Sequence, residues 1–258
     1  MEKMREFVLS ANLPRKTELI LIGEKYLSAL EKPLKALGIE VLPVPSNPKV
    51  DPRLSSHADL SLFHAGENRI FAADYLKSTE FAEIIAKYGV SCELCALKQG
   101  ESYPYDAGLN VCSVGNYFIY SPKVSDETII LHLKGQGRVP VSCKQGYCKC
   151  SVCVVDENSI ICADKGINAA CKAAGLDVLE IRPGYVSLEG FDYGFIGGAS
   201  FKINSDVLAF TGTLDAHPDK AAILDFLEKR GIVPVFLTDM PIFDIGSAVI
   251  LTEKEPKK

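Results

Sequence analysis

Five glycines constrain this chain more than any other feature. Gly38, Gly89, Gly175 and Gly231 each close a helix-like run and each is followed at once by a strand-like run. Gly137 leads into Val139-Pro140-Val141 just as Gly231 leads into Val233-Pro234-Val235. Glycine takes the left-handed conformation that ends a helix without a Cβ penalty, so each marks a helix-to-strand junction. Their spacings of 51, 48, 38 and 56 residues signal a repeat architecture in which no unit can bury its apolar face alone.

The clearest unit covers 147–181. An apolar run (Cys150–Val155), a polar turn, a second apolar run (Ser159–Cys162), a short helix (Gly166–Ala174) and a final strand (Leu176–Ile181) follow one another. The hairpin His57–Asp74 lies over Tyr147–Asp164 without a gap at an offset of 90. Units are therefore expected over 57–97, 109–143, 147–181 and 191–238. The last copy, 243–252, runs out after one strand, and its missing helix and strand stand at the other end of the chain, in 17–44. The ends are expected to complete one unit together, which closes a ring and removes two open sheet edges. Pro33 is expected to kink or split the helix over Glu24–Leu37. Ser78 or Thr79 is the expected N-cap of a helix running through Tyr88.

Composition narrows the partners. A net charge of −5 without a long Lys/Arg run before the terminal Lys254–Lys258 tail argues against nucleic acid and for small molecules or proteins. No apolar stretch reaches the length that spans a bilayer, and charges stand where a signal peptide would place its apolar core, so a cytoplasmic protein is expected. The cysteine count is odd, at nine, and most of these residues lie in apolar runs. Reduced thiols acting as small hydrophobes are expected, with no metal, because strand alternation sends the two cysteines of a C-x2-C pair to opposite faces. Phe195-Ile196-Gly197-Gly198-Ala199 lacks the phosphate-loop lysine and the dinucleotide spacing, so no cofactor is expected.

In the first hairpin Ala58, Leu60 and Leu62 alternate with His57, Asp59 and Ser61. Read as a strand, this packs one face on helices and turns the other to the ring axis. The offset then places Tyr147, Lys149 and Ser151 on the axial face, and the fourth unit adds Ser200 and Lys202.

With these units the chain resembles the pentein fold, the five-bladed α/β propeller of guanidino-group-modifying enzymes and of ribosome anti-association factors. It looks most like a bacterial branch of that superfamily, and the resemblance covers Thr17 to Thr252. It implies a cysteine nucleophile, a histidine in an H-x-D motif and carboxylates that hold a planar guanidinium. His57-Ala58-Asp59 matches that motif, but in the first complete hairpin rather than midway along the chain. The C-terminal strand, where the nucleophile is implied, reads Asp244-Ile245-Gly246-Ser247-Ala248 and has no cysteine. A blade-rotated site takes its cysteine from two units after His57, among Cys148, Cys150 and Cys153. Alternation points the first two at the helices and leaves Cys153.

His57, Asp59 and Cys153 are thus the candidate catalytic residues, and Asp192, Asp244, Lys149, Tyr147 and Ser247 the candidate substrate-binding residues. Two readings stay open. One is an enzyme or binder of a small guanidino or amidino compound in an axial site. The other is a non-catalytic pentein that binds a protein or ribonucleoprotein partner.

Overall fold

The computed structural model describes residues 6–95 and 98–254. Positions 96–97 at the end of the first expected unit, and all but the first residue of the lysine-rich tail, lie outside the described residues. In chain order the elements begin with β1 (Glu6–Phe7), β2 (Thr17–Gly23), α1 (Leu27–Ala36) and β3 (Glu40–Val44). Next come a four-residue helical turn α2 (Ala58–Ser61), β4 (Leu62–His64), β5 (Arg69–Ala72), α3 (Phe81–Ala86) and β6 (Ser91–Leu94). β7 (Cys112–Val114), β8 (Tyr117–Tyr120), α4 (Glu127–Gly135) and β9 (Val139–Ser142) follow. A second four-residue turn α5 (Cys148–Ser151) opens the next group, β10 (Val152–Val154), β11 (Ser159–Cys162), α6 (Lys165–Ala173) and β12 (Asp177–Glu180). The chain ends with β13 (Ser200–Asn204), β14 (Val207–Phe210), α7 (Lys220–Glu228), β15 (Val233–Phe236) and β16 (Val249–Glu253).

These elements form five small mixed sheets. Four have the order hairpin then crossover strand: β4-β5-β6, β7-β8-β9, β10-β11-β12 and β13-β14-β15, antiparallel within the hairpin and parallel across the helix. The fifth, β1-β16-β2-β3, joins the C-terminal strand to the N-terminal strands, with Ile250 opposite Ile20. The two ends of the chain complete one blade. Gly38, Gly89, Gly137, Gly175 and Gly231 all take positive φ, between 65° and 91°, where they end their helices.

The core shows how the ring closes. The described residues form five apolar clusters, and each is shared by two neighbouring blades. Leu19 and Leu21 of β2 meet Leu62 of β4 and Ile70 of β5. On their other side, Ile20 and Ile22 meet Phe201 of β13. Val152 and Val154 of β10 face Cys112 and Val114 of β7, while Cys153 faces the β13–β14 blade through Leu208 and Phe210. The fifth cluster joins Phe63 and Phe71 to Phe118 and Ile129. Five clusters linking five blades in sequence make a closed five-bladed propeller.

This packing corrects the alternation reading. Radial sheets have a blade on each side, so both faces of the inner strands are buried against neighbouring blades, with Ser200 and Lys202 as buried polar members of β13, and neither face looks at the axis. What meets the axis is the chain just before each innermost strand. At 58–61 and 148–151 that chain is a helical turn rather than a strand. Two further expectations differ. α1 runs through Pro33 without being split there, and the break comes earlier, in a 3-10 turn at Glu24–Tyr26. The residue flanking α3 is Glu80, whose side chain makes no cap, although Thr79 Oγ1 accepts from the Phe81 amide at 3.2 Å.

Candidate active site

The two helical turns present the candidate groups. α2 presents Asp59 and the residue before it, His57; α5, two blades on, presents Lys149 and Cys150. Asn110, from the start of the intervening blade, ties them together. Its backbone carbonyl accepts from the amides of Cys148 and Lys149, its Oδ1 accepts from the Cys150 amide at 3.0 Å, and its Nδ2 reaches the Asp59 carbonyl at 3.3 Å. The Cys150 thiol donates to Asp59 Oδ2 at 3.0 Å, and Asn110 Nδ2 donates to the same sulfur at 3.2 Å. In a helical turn three residues span most of a revolution, so Cys150 can face Asp59 while Cys148 faces the wall behind.

Asp244 enters from the fifth blade. It is buried, and its carboxylate accepts from the Phe195 amide and the Gly246 amide, each at 2.9 Å. His57 Nδ1 stands 3.9 Å from Asp244 Oδ1. The chain approaches so closely here that only glycine fits. A Cβ on Gly246, whose φ is +68°, would lie 2.4 Å from His57 Cβ, and one on Gly198 would lie 1.9 Å from Asp244 Oδ1. His57 Nε2 and Asp59 Oδ1 are buried without a hydrogen-bond partner. The His57, Asp59 and Cys150 donor atoms all lie within 4.8 Å of one another, close enough that one divalent ion could be shared among them.

Above this floor opens a cavity of about 260 Å³, lined by His57, Cys150 and Asp244 below and by Leu54, Leu60, Leu188, Tyr147, Phe191, Tyr193 and Phe195 around, with Asp192 at the rim. The Tyr147 ring lies 5.3 Å from Tyr103 and 6.1 Å from Phe195, and its hydroxyl donates to Asp106 Oδ2 at 2.6 Å. Among the described residues the lining contains no lysine or arginine.

Electrostatics follow from burial. Desolvation, then the charges of Asp59 and Asp244, push the Cys150 thiol well above the ordinary thiol range, so the resting sulfur is protonated. Burial raises the Asp244 carboxyl, against the pull of His57. Asp106 is raised by burial as well, and the Tyr147 phenol is raised by burial and by its bond to Asp106.

The structure brings His57, Tyr147, Asp192 and Asp244 to one cavity, holds Asp59 behind its floor against the Cys150 sulfur, and leaves Cys153 out of it. Cys153 is fully buried in the wall between the third and fourth blades, beside Ile161, Ala199 and Leu208. Its place in β10, two residues past the turn, puts it there. Lys149 and Ser247 meet below the cavity, where the Lys149 ammonium donates to Ser247 Oγ at 2.7 Å and Ser247 is fully buried with φ +58°. Lys202 donates to the Ser205 carbonyl at 2.7 Å, within its own hairpin. Sequence reasoning assigns no site role to Asn110 or Phe195, and strand alternation sets Cys150 aside in favour of Cys153. Asn110 could have been singled out, because it opens the second unit as Asp59 and Cys150 open the first and third.

The fold is that of the pentein enzymes. The DDAH of Pseudomonas aeruginosa bound to citrulline matches over 91% of this chain and 99% of its own, with a TM-score of 0.55 and 9% identity. An amidinotransferase of the saxitoxin biosynthetic pathway from Microseira wollei matches over 89% and 91%, with a TM-score of 0.57 and 11% identity. The agmatine deiminase of C. jejuni matches over 88% and 90%, with a TM-score of 0.52 and 12% identity. No curated protein matches the sequence. No helix among the described residues is long and apolar enough to cross a membrane. The model described as "Family of unknown function (DUF6873)" matches residues 21–249, and this pentein chain belongs to that family.

Proposed function

We propose that the axial cavity takes a small amidino or guanidino compound and that Cys150 attacks its amidino carbon. The observation that carries this reading is the convergence of the Cys150 thiol, 3.0 Å from Asp59, with His57 at the floor of an aromatic-walled cavity that also holds Asp244. A planar cation suits such a site, because carboxylates accept its N–H groups and aromatic faces attract its charge. The names of the structural neighbours, two amidinotransferases, agmatine deiminase and dimethylarginine dimethylaminohydrolase, point to the same class of compound.

The chemistry follows from the charges. Burial, and then the charges of Asp59 and Asp244, hold the thiol protonated. A bound guanidinium neutralises them, so the ligand itself lowers the thiol pKa, and the proton leaves to Asp59 or His57. Sulfur then bonds to the amidino carbon, the bond from that carbon to the departing amine breaks, and the amine leaves with a proton from His57. Water adds to the sulfur-bound carbon and releases the thiol. The nucleophile is two blades after the H-x-D motif, as in a blade-rotated site.

A second reading, a non-catalytic binder, is favoured by the aromatic rim, where Tyr103, Phe191 and Tyr193 are 46%, 38% and 41% exposed. One experiment separates the two. Native protein is labelled with 2-chloroacetamidine, a small cationic alkylating agent, and mapped by peptide mass. Saturable labelling of Cys150 that His57→Ala slows is the expected result. Modification of Cys150 only after denaturation would remove the enzyme reading and leave the binder.

A further inference from the structure

The two cysteines that flank Tyr147 make a separate site. Cys143 follows β9 and Cys148 opens α5, and their sulfurs are 3.6 Å apart. Among the described residues they are the two sulfurs in mutual contact. Both thiols also lie against one carbonyl, that of Gln145, at 3.4 Å from Cys143 and 3.0 Å from Cys148. A disulfide needs the sulfurs at about 2 Å, so closing the gap takes a movement of about 1.5 Å. Exposure divides the roles: Cys143 is partly exposed and Cys148 is fully buried.

We infer that Cys143 and Cys148 form a reactive dithiol that a hydroperoxide converts to a disulfide. Cys143 sulfur attacks the terminal peroxide oxygen, the O–O bond breaks and the alcohol or water leaves, giving a sulfenic acid at Cys143. The Cys148 sulfur then displaces that oxygen as water and forms the S–S bond. The peroxide is reduced by two electrons and the two thiols are oxidised by two. Cys143 is the attacking partner because it can be reached and because its contact with the Cys148 thiol holds it below the ordinary thiol range. Cys150 is the poorer target, since its proton is held by Asp59 and burial raises its pKa.

The site bears on the axial cavity through its position. The bond would close a six-residue segment whose fifth member, Tyr147, lines the cavity and donates to Asp106. Oxidation would therefore tie down one aromatic wall. The pair does not depend on what the cavity binds.

Fully reduced protein is treated with one equivalent of hydrogen peroxide and followed by intact mass and a non-reducing peptide map. The expected result is loss of two hydrogens, a Cys143–Cys148 cross-link and full reversal by dithiothreitol. Cys143→Ser, at a partly exposed position, is expected to abolish that loss, and Cys150→Ala to leave it unchanged. Retention of all nine thiols, a cross-link through Cys150, or the same loss of two hydrogens in Cys143→Ser would overturn the proposal. Because the readout is mass, its failure leaves the amidine reading standing, and failure of that reading leaves the dithiol intact.

Discussion

α2 and α5 differ from the strands that follow them in what they do with the same residue types. His57 and Cys150, on or beside the turns, reach the axial cavity. His64 and Cys153, seven and three residues further on, lie in β4 and β10, and both are buried outside it. A helical turn splays consecutive side chains around its axis, so several can converge on one point, whereas a radial strand sends its side chains into the two neighbouring blade walls. Which of these side chains reach the cavity is set by where the chain stops being helical.

The largest expected effect tests that boundary directly. Cys150→Ala is expected to remove the saturable labelling by 2-chloroacetamidine, leaving only non-saturable modification of the partly exposed Cys143 and Cys92 by peptide mapping, while Cys153→Ala labels as the wild type does and loses about 1 kcal/mol of stability as a buried truncation. Equal labelling in both variants would dissolve the contrast between turn and strand. His57→Ala is expected to slow the chemistry by roughly 10²–10⁴, the range for a lost acid or base.

The strand histidine sharpens the contrast through pH. His64 is buried and its pKa is pushed down to about 4, chiefly by desolvation. Its folded pKa lies below its unfolded value of about 6.5, so the unfolded chain binds the proton first. Stability at neutral pH is therefore expected to fall as pH drops from about 6.5 to about 4, by about 3 kcal/mol in total, and to level off below. Urea titrations of wild type and His64→Leu test it: the variant should lose most of that slope. A variant with the wild-type slope would place the titration elsewhere.

How much of this was legible in the sequence follows from the same geometry. The five units, the helix-ending glycines and the blade shared by the two termini could be read because they depend on local conformation and spacing. Asp244 and Tyr147 could be placed near the axis because they stand where a unit begins. Cys150 could not, because alternation was carried back from β10 through Cys148–Ser151, where the backbone is helical. Nothing in the letters Cys-Lys-Cys-Ser separates a helical turn from a strand. The turn is imposed by Asn110, whose carbonyl and side chain hold the amides of Cys148, Lys149 and Cys150 from another blade.

The smallest expected effect asks whether the turn residues act as one charge system. Asp59 raises the Cys150 pKa by its charge and by accepting the thiol proton. In Asp59→Asn the charge goes and the thiol faces at most a neutral amide acceptor, so it should ionise more readily and react faster with a neutral reagent such as iodoacetamide. The same change removes a carboxylate that attracts a cation, so reaction with 2-chloroacetamidine should gain less or fall. The ratio of the two rates is expected to shift toward the neutral reagent by about tenfold, the equivalent of one pKa unit or about 1.4 kcal/mol. An unchanged ratio would mean that Asp59 only holds the turn in shape, and the recognition of a cation would then rest on the two carboxylates that line the cavity, Asp244 and Asp192. Asp244→Asn, measured the same way, separates those two arrangements, because Asp244 makes no hydrogen bond to the sulfur and acts on it through charge only.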